Sequence, residues 1–366
     1  MIELKRVRAG LSFIQKYHYR LVLRVALFWT IIDLIYWIRV VRVSGGLHDD
    51  YTFQYISKDT ILLRAVIVFL ISGGMGYLLI FRLRQVFRNY PLLINLMAKT
   101  AILLSAALFM NLLLHITYSL FIMHLSLANG LQRFFGHAAS IAWLLQHSLG
   151  WVALFLLTQI IIEVNEKYSP GIFWAILIGK YIRPKVEKRI VMFIDLTDST
   201  SIAEKLGSTE NFNFIRDFVY YVSVALLEHD GRIYQYVGDE IVVSWLYKPK
   251  NVHKCLNALL LSIRLLKRKG NYFKGRYGVL PEFKVGIHAG EVTVGEIGLI
   301  KKDIAMSGDT MNTAARIRNS SAELGNKYIA SKEFLDNIVI SCESESMGMV
   351  ELKGKSDSME LFALKI

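Results

Sequence analysis

Two aspartates about forty residues apart, each closing an apolar run, are the residues of this chain best placed to do chemistry. Asp195 follows Arg189-Ile190-Val191-Met192-Phe193-Ile194 and opens the loop Leu196-Thr197-Asp198-Ser199-Thr200. Asp239 lies between Arg232-Ile233-Tyr234-Gln235-Tyr236-Val237 and Ile241-Val242-Val243-Ser244-Trp245, where Gly238 permits a hairpin turn. If the two strands are neighbours, the carboxylates converge and repel unless a proton or a cation lies between them. For oxygen donors the fitting cation is hard, Mg²⁺ or Mn²⁺. The same residues also suit a plainer role, as turn aspartates at a helix start and a hairpin, and the pair alone does not decide between the two. A second group stands on a helix expected over 309–324. Asn312 and Arg316 are spaced i, i+4 and share a face, whereas Arg318 points elsewhere. An amide beside a guanidinium suits a ribose oxygen and a phosphoryl oxygen gaining charge. The plain alternative is a polar helix surface capped by Asp309 or Thr310, and Thr313, Ala314 and Ala315 add only a hint of close packing.

The elements that must carry these groups follow from periodicity and turn residues. From 189 onward the pattern gives a strand (189–195), helical stretches (200–207 and 211–229), an Asp230-Gly231 turn, a hairpin (232–245) and a helix (251–269). Strands at 283–289, 291–297 and 303–307, the helix with Asn312 and Arg316, and a β-like tail complete it. Strand–helix–hairpin–helix–strand is the order of a ferredoxin-like, palm-like α+β unit, in which the first strand lies beside the central hairpin.

Composition divides the chain. A hydrophobic share of 54% and a mean hydropathy of +0.38 are too apolar for a purely soluble protein. Residues 1–170 hold 16 Lys/Arg against 7 Asp/Glu, and residues 171–366 hold 27 against 23. The basic surplus therefore sits mainly in the membrane-like half, where it sets orientation and meets anionic lipid. Nucleic-acid binding is not expected, because the soluble half has no basic stripe with interleaved aromatics. Cys255 and Cys342 give no disulfide framework. Residues 1–20 form a basic tail, not a cleavable signal peptide. Apolar stretches at 21–41, 61–81, 100–123 and 141–162 each approach the ~20 residues that a membrane helix needs. A four-helix transmembrane domain over 21–162, a helical linker over 163–188 and a catalytic domain over 189–366 are expected. Lys/Arg-rich loops put both termini on the cytoplasmic side of an inner membrane. Asp33, inside the first stretch, requires a partner in the bundle. Asn111, His115, His124, Gln146 and His147 read as scattered structural contacts, and a ligand of the spans is left unidentified.

Five pieces in order carry a family resemblance: Phe193-Ile194-Asp195-Leu196-Thr197-Asp198-Ser199-Thr200, Gly238-Asp239-Glu240, Gly286-Ile287-His288-Ala289-Gly290, Ser307-Gly308-Asp309-Thr310-Met311-Asn312-Thr313-Ala314-Ala315-Arg316 and Leu352-Lys353-Gly354. Together they closely resemble the class III nucleotidyl cyclase catalytic domain over about 190–366. The resemblance implies a head-to-tail homodimer with its active sites at the interface. One subunit's metal aspartates map onto Asp195 and Asp239, and its twin's asparagine and arginine onto Asn312 and Arg316. Lys353 maps onto a lysine that can bind terminal phosphates, and the linker becomes a dimer contact. It also implies two Mg²⁺ (or Mn²⁺) per site and conversion of ATP to 3′,5′-cyclic AMP and pyrophosphate. Asp198 reads as a cap and His288 as part of a packing strand.

The base-reading positions depart from the family pattern. Adenylate-selective members carry lysine and an aspartate or threonine where this chain has Gln235 and Ala305, and guanylate-selective members usually carry glutamate and cysteine. Gln235 can both donate and accept, so it could read either purine, and Ala305 reads nothing. ATP is preferred because adenylate cyclases are the commoner membrane form of bacterial style. A guanylate cyclase is the alternative, as is a catalytically weak membrane sensor or scaffold supported by the Gln235/Ala305 pair. The hairpin also looks like that of diguanylate cyclases, but Val237 and Ile241 replace a glycine and a phenylalanine, and the Asn312/Arg316 helix has no counterpart there.

Overall fold

The computed structural model describes residues 13–44, 58–83, 86–87, 90–121, 124–138, 141–167, 178–299, 302–336, 343–355 and 357–366. They fall into two compact units, Gln15–Glu166 and Lys167–Ile366.

In the first unit, long apolar runs without proline give α1 (Phe13–Ser44), α2 (Lys58–Tyr77) with a π-helical turn at Leu78–Leu83, α3 (Leu92–Phe121), α4 (Leu127–Ala138) and α5 (Ile141–Lys167). Among the described residues, three stretches are long and apolar enough to cross a membrane: Gln15–Arg39, Thr60–Leu83 and Leu93–Phe121. The fourth expected span lies in α5, where the apolar stretch Leu149–Val164 is shorter. Asp33 has the partner it requires. Arg64 donates from Nε to Oδ2 at 2.7 Å and from Nη2 to Oδ1 at 2.9 Å, and its guanidinium lies 5.3 Å from the Trp37 ring centroid. Both side chains are buried, so the fork neutralises two charges that neither lipid nor apolar side chains could solvate. Trp29 Nε1 donates to Thr158 Oγ1 at 3.0 Å and Gln159 Nε2 to Thr100 Oγ1 at 2.9 Å, tying helices together by polar contacts of the kind membrane bundles use. Asn111 donates back to Ala107 O in its own helix at 3.1 Å, and the His115 ring packs 5.6 Å from that of Phe134. His124 is exposed, and the side chains of Gln146 and His147 lie outside the described residues, as do residues 168–177 of the expected linker.

The second unit runs β1 (Lys185–Leu196), α6 (Ser199–Glu228), β2 (Arg232–Val237), β3 (Glu240–Leu246), α7 (Pro249–Arg268), α8 (Gly270–Tyr277) and β4 (Phe283–Ile297). It continues β5 (Asp303–Ser307), α9 (Asp309–Asn319), β6 (Tyr328–Ser331), α10 (Lys332–Leu335), β7 (Glu343–Val350) and β8 (Met359–Lys365). The sheet order is β2-β3-β1-β4-β6-β8-β7, with β5 paired to β4. β1 thus lies beside the hairpin, as the sequence order requires. Where two strands were expected over 283–297 there is one, because Gly290 keeps pairing with Arg189 across β1. α9 ends at Asn319, short of the expected 324, and α8 was not expected at all. The two expected helices between 200 and 229 are one element with a kink at Gly207 (φ 73°, ψ 166°).

The β1 run is continuously apolar because both of its faces are covered. Ile190, Met192 and Ile194 pack with Phe214, Phe218 and Leu259 in the main core. Val191 and Phe193 lie on the other face with Val242, Val292 and the α9 residues Met311 and Ala314. Two glycines let α9 approach. A Cβ on Gly286 would lie 2.4 Å from Ala314 O and Arg318 N, and one on Gly290 would lie 2.4 Å from Thr310 Oγ1. The glycines are four apart on one strand and so face the same helix.

Candidate active site

Register places the first acid. Ile194 pairs with Ile241 on one side of β1, and Asp195 pairs with Lys284 on the other. Continuing the ladder by one residue sets Asp195 across from Glu240, on the face that α9 covers. Val237 and Glu240 close a two-residue turn of Gly238 (φ 62°) and Asp239, with glycine at the position that needs a positive φ. Asp195 and Asp239 therefore end neighbouring strands at the same edge, and both are half-buried. Burial pushes the Glu240 carboxyl above the ordinary carboxylate range; Arg318 opposes this, and the charges on Asp195 and Asp239 add to it. Carboxylate oxygens such as those of Asp195 and Asp239 are donors for a hard divalent cation. Among the described residues no three acidic, histidine or cysteine side chains close into a metal cage. Mg²⁺ is commonly held by one or two carboxylates plus substrate phosphates.

Two cations already attend the acids. Arg318 Nη1 lies 2.6 Å from Asp195 Oδ2, its Nη2 is bonded to Glu240, and Lys284 Nζ lies 3.2 Å from the same Asp195 oxygen. Sequence reasoning missed Glu240 and Lys284 as members of this cluster, since only the strand register brings them to Asp195. Arg318 had a visible signal. Two residues after Arg316 it points about 200° away around a helix, so one of the two must face the sheet.

The second group gathers elsewhere on α9. Asn312 is exposed and Arg316 half-buried. The Leu352–Gly354 turn packs against Arg316, as a Cβ on Gly354 would lie 3.4 Å from Arg316 Nη2. Lys355 pins this turn by donating to Asp309 Oδ2 at 3.1 Å and Thr313 Oγ1 at 3.0 Å. Lys353 is exposed on the turn that packs against Arg316. One chain turns Arg318, not Arg316, toward the acids, and does not bring the acid pair and the Asn312/Arg316 pair to one point.

A bulge in β2 sets Gln235. Pairing slips between Ile233 and Gln235, and Gln235 lies opposite Val242, on the α9 face. Tyr234 Oη accepts from Met306 N at 3.2 Å, so the chain neighbours of Gln235 and Ala305 touch, while Ala305 itself pairs with Gly295. Gln235 is exposed.

Three expectations about caps and histidine are resolved. Asp198 occupies the N-cap of α6 at φ 55°, but its side chain makes no capping bond. Gly308, not Asp309 or Thr310, is the N-cap of α9, and Thr310 Oγ1 instead donates to Glu291 O at 2.6 Å. Thr197 Oγ1 is buried without a partner in the loop after Asp195. His288 is a buried packing residue whose Nδ1 lies 2.7 Å from Ser331 Oγ. Burial lowers its pKa from 6.5 to about 4, with Glu333 pulling the other way. Between those values the unfolded chain binds a proton that the folded one refuses, so His288 should cost stability as pH falls from 6.5 toward about 4. The expected result is a drop in Tm between pH 7 and pH 5 that is smaller in His288→Asn; equal drops would remove His288 as the source.

Comparison with known proteins adds the following. Residues 183–366 match the family described as the adenylate and guanylate cyclase catalytic domain. The chain is 27% identical over 207 residues to adenylate cyclase 2 of Rhizobium meliloti (56% of this chain, 57% of that protein). It is 26% identical over 217 residues to an adenylate cyclase of Anabaena cylindrica (55% of this chain, 42% of that protein). The chain thus spans about half the length of these curated relatives. In fold it is similar to a bacterial light-regulated adenylyl cyclase, with a TM-score of 0.53 at 17% identity, covering 62% of this chain and 66% of the other.

Proposed function

The chain belongs to the adenylate and guanylate cyclase catalytic domain family, and from that premise we propose that it is a membrane-bound adenylate cyclase. It would convert ATP to 3′,5′-cyclic AMP and pyrophosphate in a head-to-tail homodimer. The observation that supports this reading is that Arg318 on α9 meets Asp195, whereas Asn312 and Arg316 lie on a different side of that helix. Two half-sites turned apart in one copy suit two copies that exchange them.

In this reading Asp195 and Asp239 hold two Mg²⁺ (or Mn²⁺). When bound, these ions would supply the charge that acidifies the ribose 3′-hydroxyl and neutralises the triphosphate. The N–H groups opening α6 face phosphate oxygens, as a helix N-terminus does for any anion. Asn312 of the partner copy holds the ribose. Its Arg316 meets the charge that grows on the α-phosphoryl oxygens as O3′ bonds to the α-phosphorus and the bond to pyrophosphate breaks. Lys353 meets the terminal phosphates, Gln235 reads the base edge by donating and accepting, and Ala305 leaves room beside it. The N-terminal unit would anchor the enzyme by four spans, with α5 as the fourth and both termini cytoplasmic. The proposed division is a tail over 1–20, spans over 21–162, a linker over 163–188 and the catalytic domain over 189–366.

The purified full chain with Mn²⁺ should make cyclic AMP and pyrophosphate from ATP faster than cyclic GMP from GTP. Product from GTP alone would reassign it as a guanylate cyclase, and none from either would leave a cyclase-like scaffold.

A further inference from the structure

We propose that Arg318 is a built-in counter-cation of the acid cluster, one that weakens binding of a free divalent cation at Asp195 and Asp239. The inference rests on the reading of those aspartates as the metal site, and adds a residue of this chain to it.

Side-by-side register makes Asp195 and Glu240 a like-charge cross-strand pair, an arrangement that destabilises a sheet unless something offsets it. Arg318 offsets it with a planar fork, Nη1 on Asp195 Oδ2 and Nη2 on Glu240. The fork cannot wander far. The backbone N and Cβ of Arg318 are among the atoms pressed over Gly286, 2.4 and 2.8 Å from where a Cβ would stand, so its stem is fixed where α9 meets β4. The Nε–H is buried with no acceptor. Asp195 Oδ2 carries two positive groups, Arg318 and Lys284. A dication arriving at this carboxylate meets a fixed guanidinium and must share or displace it. A cation that arrives on a nucleoside triphosphate brings negative charge of its own, which offsets the same guanidinium. Arg318 would thus keep the site closed to metal alone and open to metal with nucleotide.

The test is Mn²⁺ alone, titrated into the full chain in detergent and followed by the loss of free-ion EPR signal. Circular dichroism checks that each variant is folded. Arg318→Gln removes one unit charge a few ångströms from the ion and should tighten Mn²⁺ binding about tenfold or more. Arg318→Lys, which keeps a charge but cannot fork, should tighten it by a smaller factor and serves if the glutamine variant does not fold. Unchanged or weaker binding in whichever variants fold would overturn the counter-cation role. Asp195→Asn and Asp239→Asn test the underlying reading separately. If they leave Mn²⁺ binding intact, or if neither the natural chain nor the Arg318 variants have a saturable site, the metal assignment itself fails.

Discussion

Asp195→Ala should lower the rate of nucleotide cyclisation about 10³-fold or more, and Arg316→Ala by a comparable factor. The two losses have different origins. Asp195 pairs with Lys284 on β4, shares Arg318 with Glu240 of β3, and is the acid on which Arg318 and Lys284 both converge. Removing it takes away an oxygen donor and leaves two cations without their carboxylate, so nucleotide and metal are held less well together. Arg316 lies on the other side of the helix, against the Leu352–Gly354 turn, and makes no contact with the acids of its own chain. Its loss removes charge stabilisation that exists only as the α-phosphoryl group is transferred, so kcat should fall far more than KM rises. Rates of cyclic AMP formation at saturating Mn²⁺–ATP, with Asp195→Asn as the shape-preserving companion, would check both. A loss under tenfold in either variant would take that residue out of the chemistry.

Gly286→Ala should be the most damaging single methyl group in the domain. The added Cβ would stand 2.4 Å from Ala314 O and Arg318 N, both backbone atoms, so no rotamer change can relieve it. α9 must lift from β4, at about 1–3 kcal/mol or more for overpacking. Lifting also moves Asn312, Arg316 and Arg318 together, and misplacement by about 1 Å can cost on the order of 10² in rate. Gly275→Ala is the matched control. No atom lies within 4 Å of its Cβ position, and it sits inside α8, where alanine is the better helix former by about 0.8–1 kcal/mol. A falling Tm and rate for the first, with an unchanged or rising Tm for the second, is the expected pair of results. Equal Tm values for Gly286→Ala and the natural chain would mean that α9 does not rest on β4 as described.

Local pattern carried the parts of the site that one segment can encode. The run from Ile190 to Ile194 reads as an apolar strand, Gly238-Asp239 as a tight hairpin, and Asn312/Arg316 as one helix face, and the strand, hairpin and helix are where the sequence puts them. Small residues on α9 hinted at close packing, and Gly286 and Gly290 on β4 show what that packing requires. What could not be read depends on pairing between distant segments. Lys284 faces Asp195, and Glu240 neighbours it, only because β1 is central, with β3 and β4 on its two sides. Arg64 completes Asp33 from another helix for the same reason. The bulge at Tyr234 that turns Gln235 to the α9 face leaves no local mark, since no glycine accompanies it. α8 was missed because Lys269-Gly270 after a long helix looks like a stop, whereas the chain restarts and buries Phe273 and Tyr277.

That two copies share each site is tested most directly by mixing. Asp195→Ala and Arg316→Ala chains, each inactive alone, would be co-expressed and assayed with Mn²⁺ and ATP. Random pairing should return about a quarter of natural activity, because half of the dimers would carry one intact site of two. No recovery, with mixed dimers demonstrated by differential tags, would contradict a site built from the acids of one copy and the amide and guanidinium of the other.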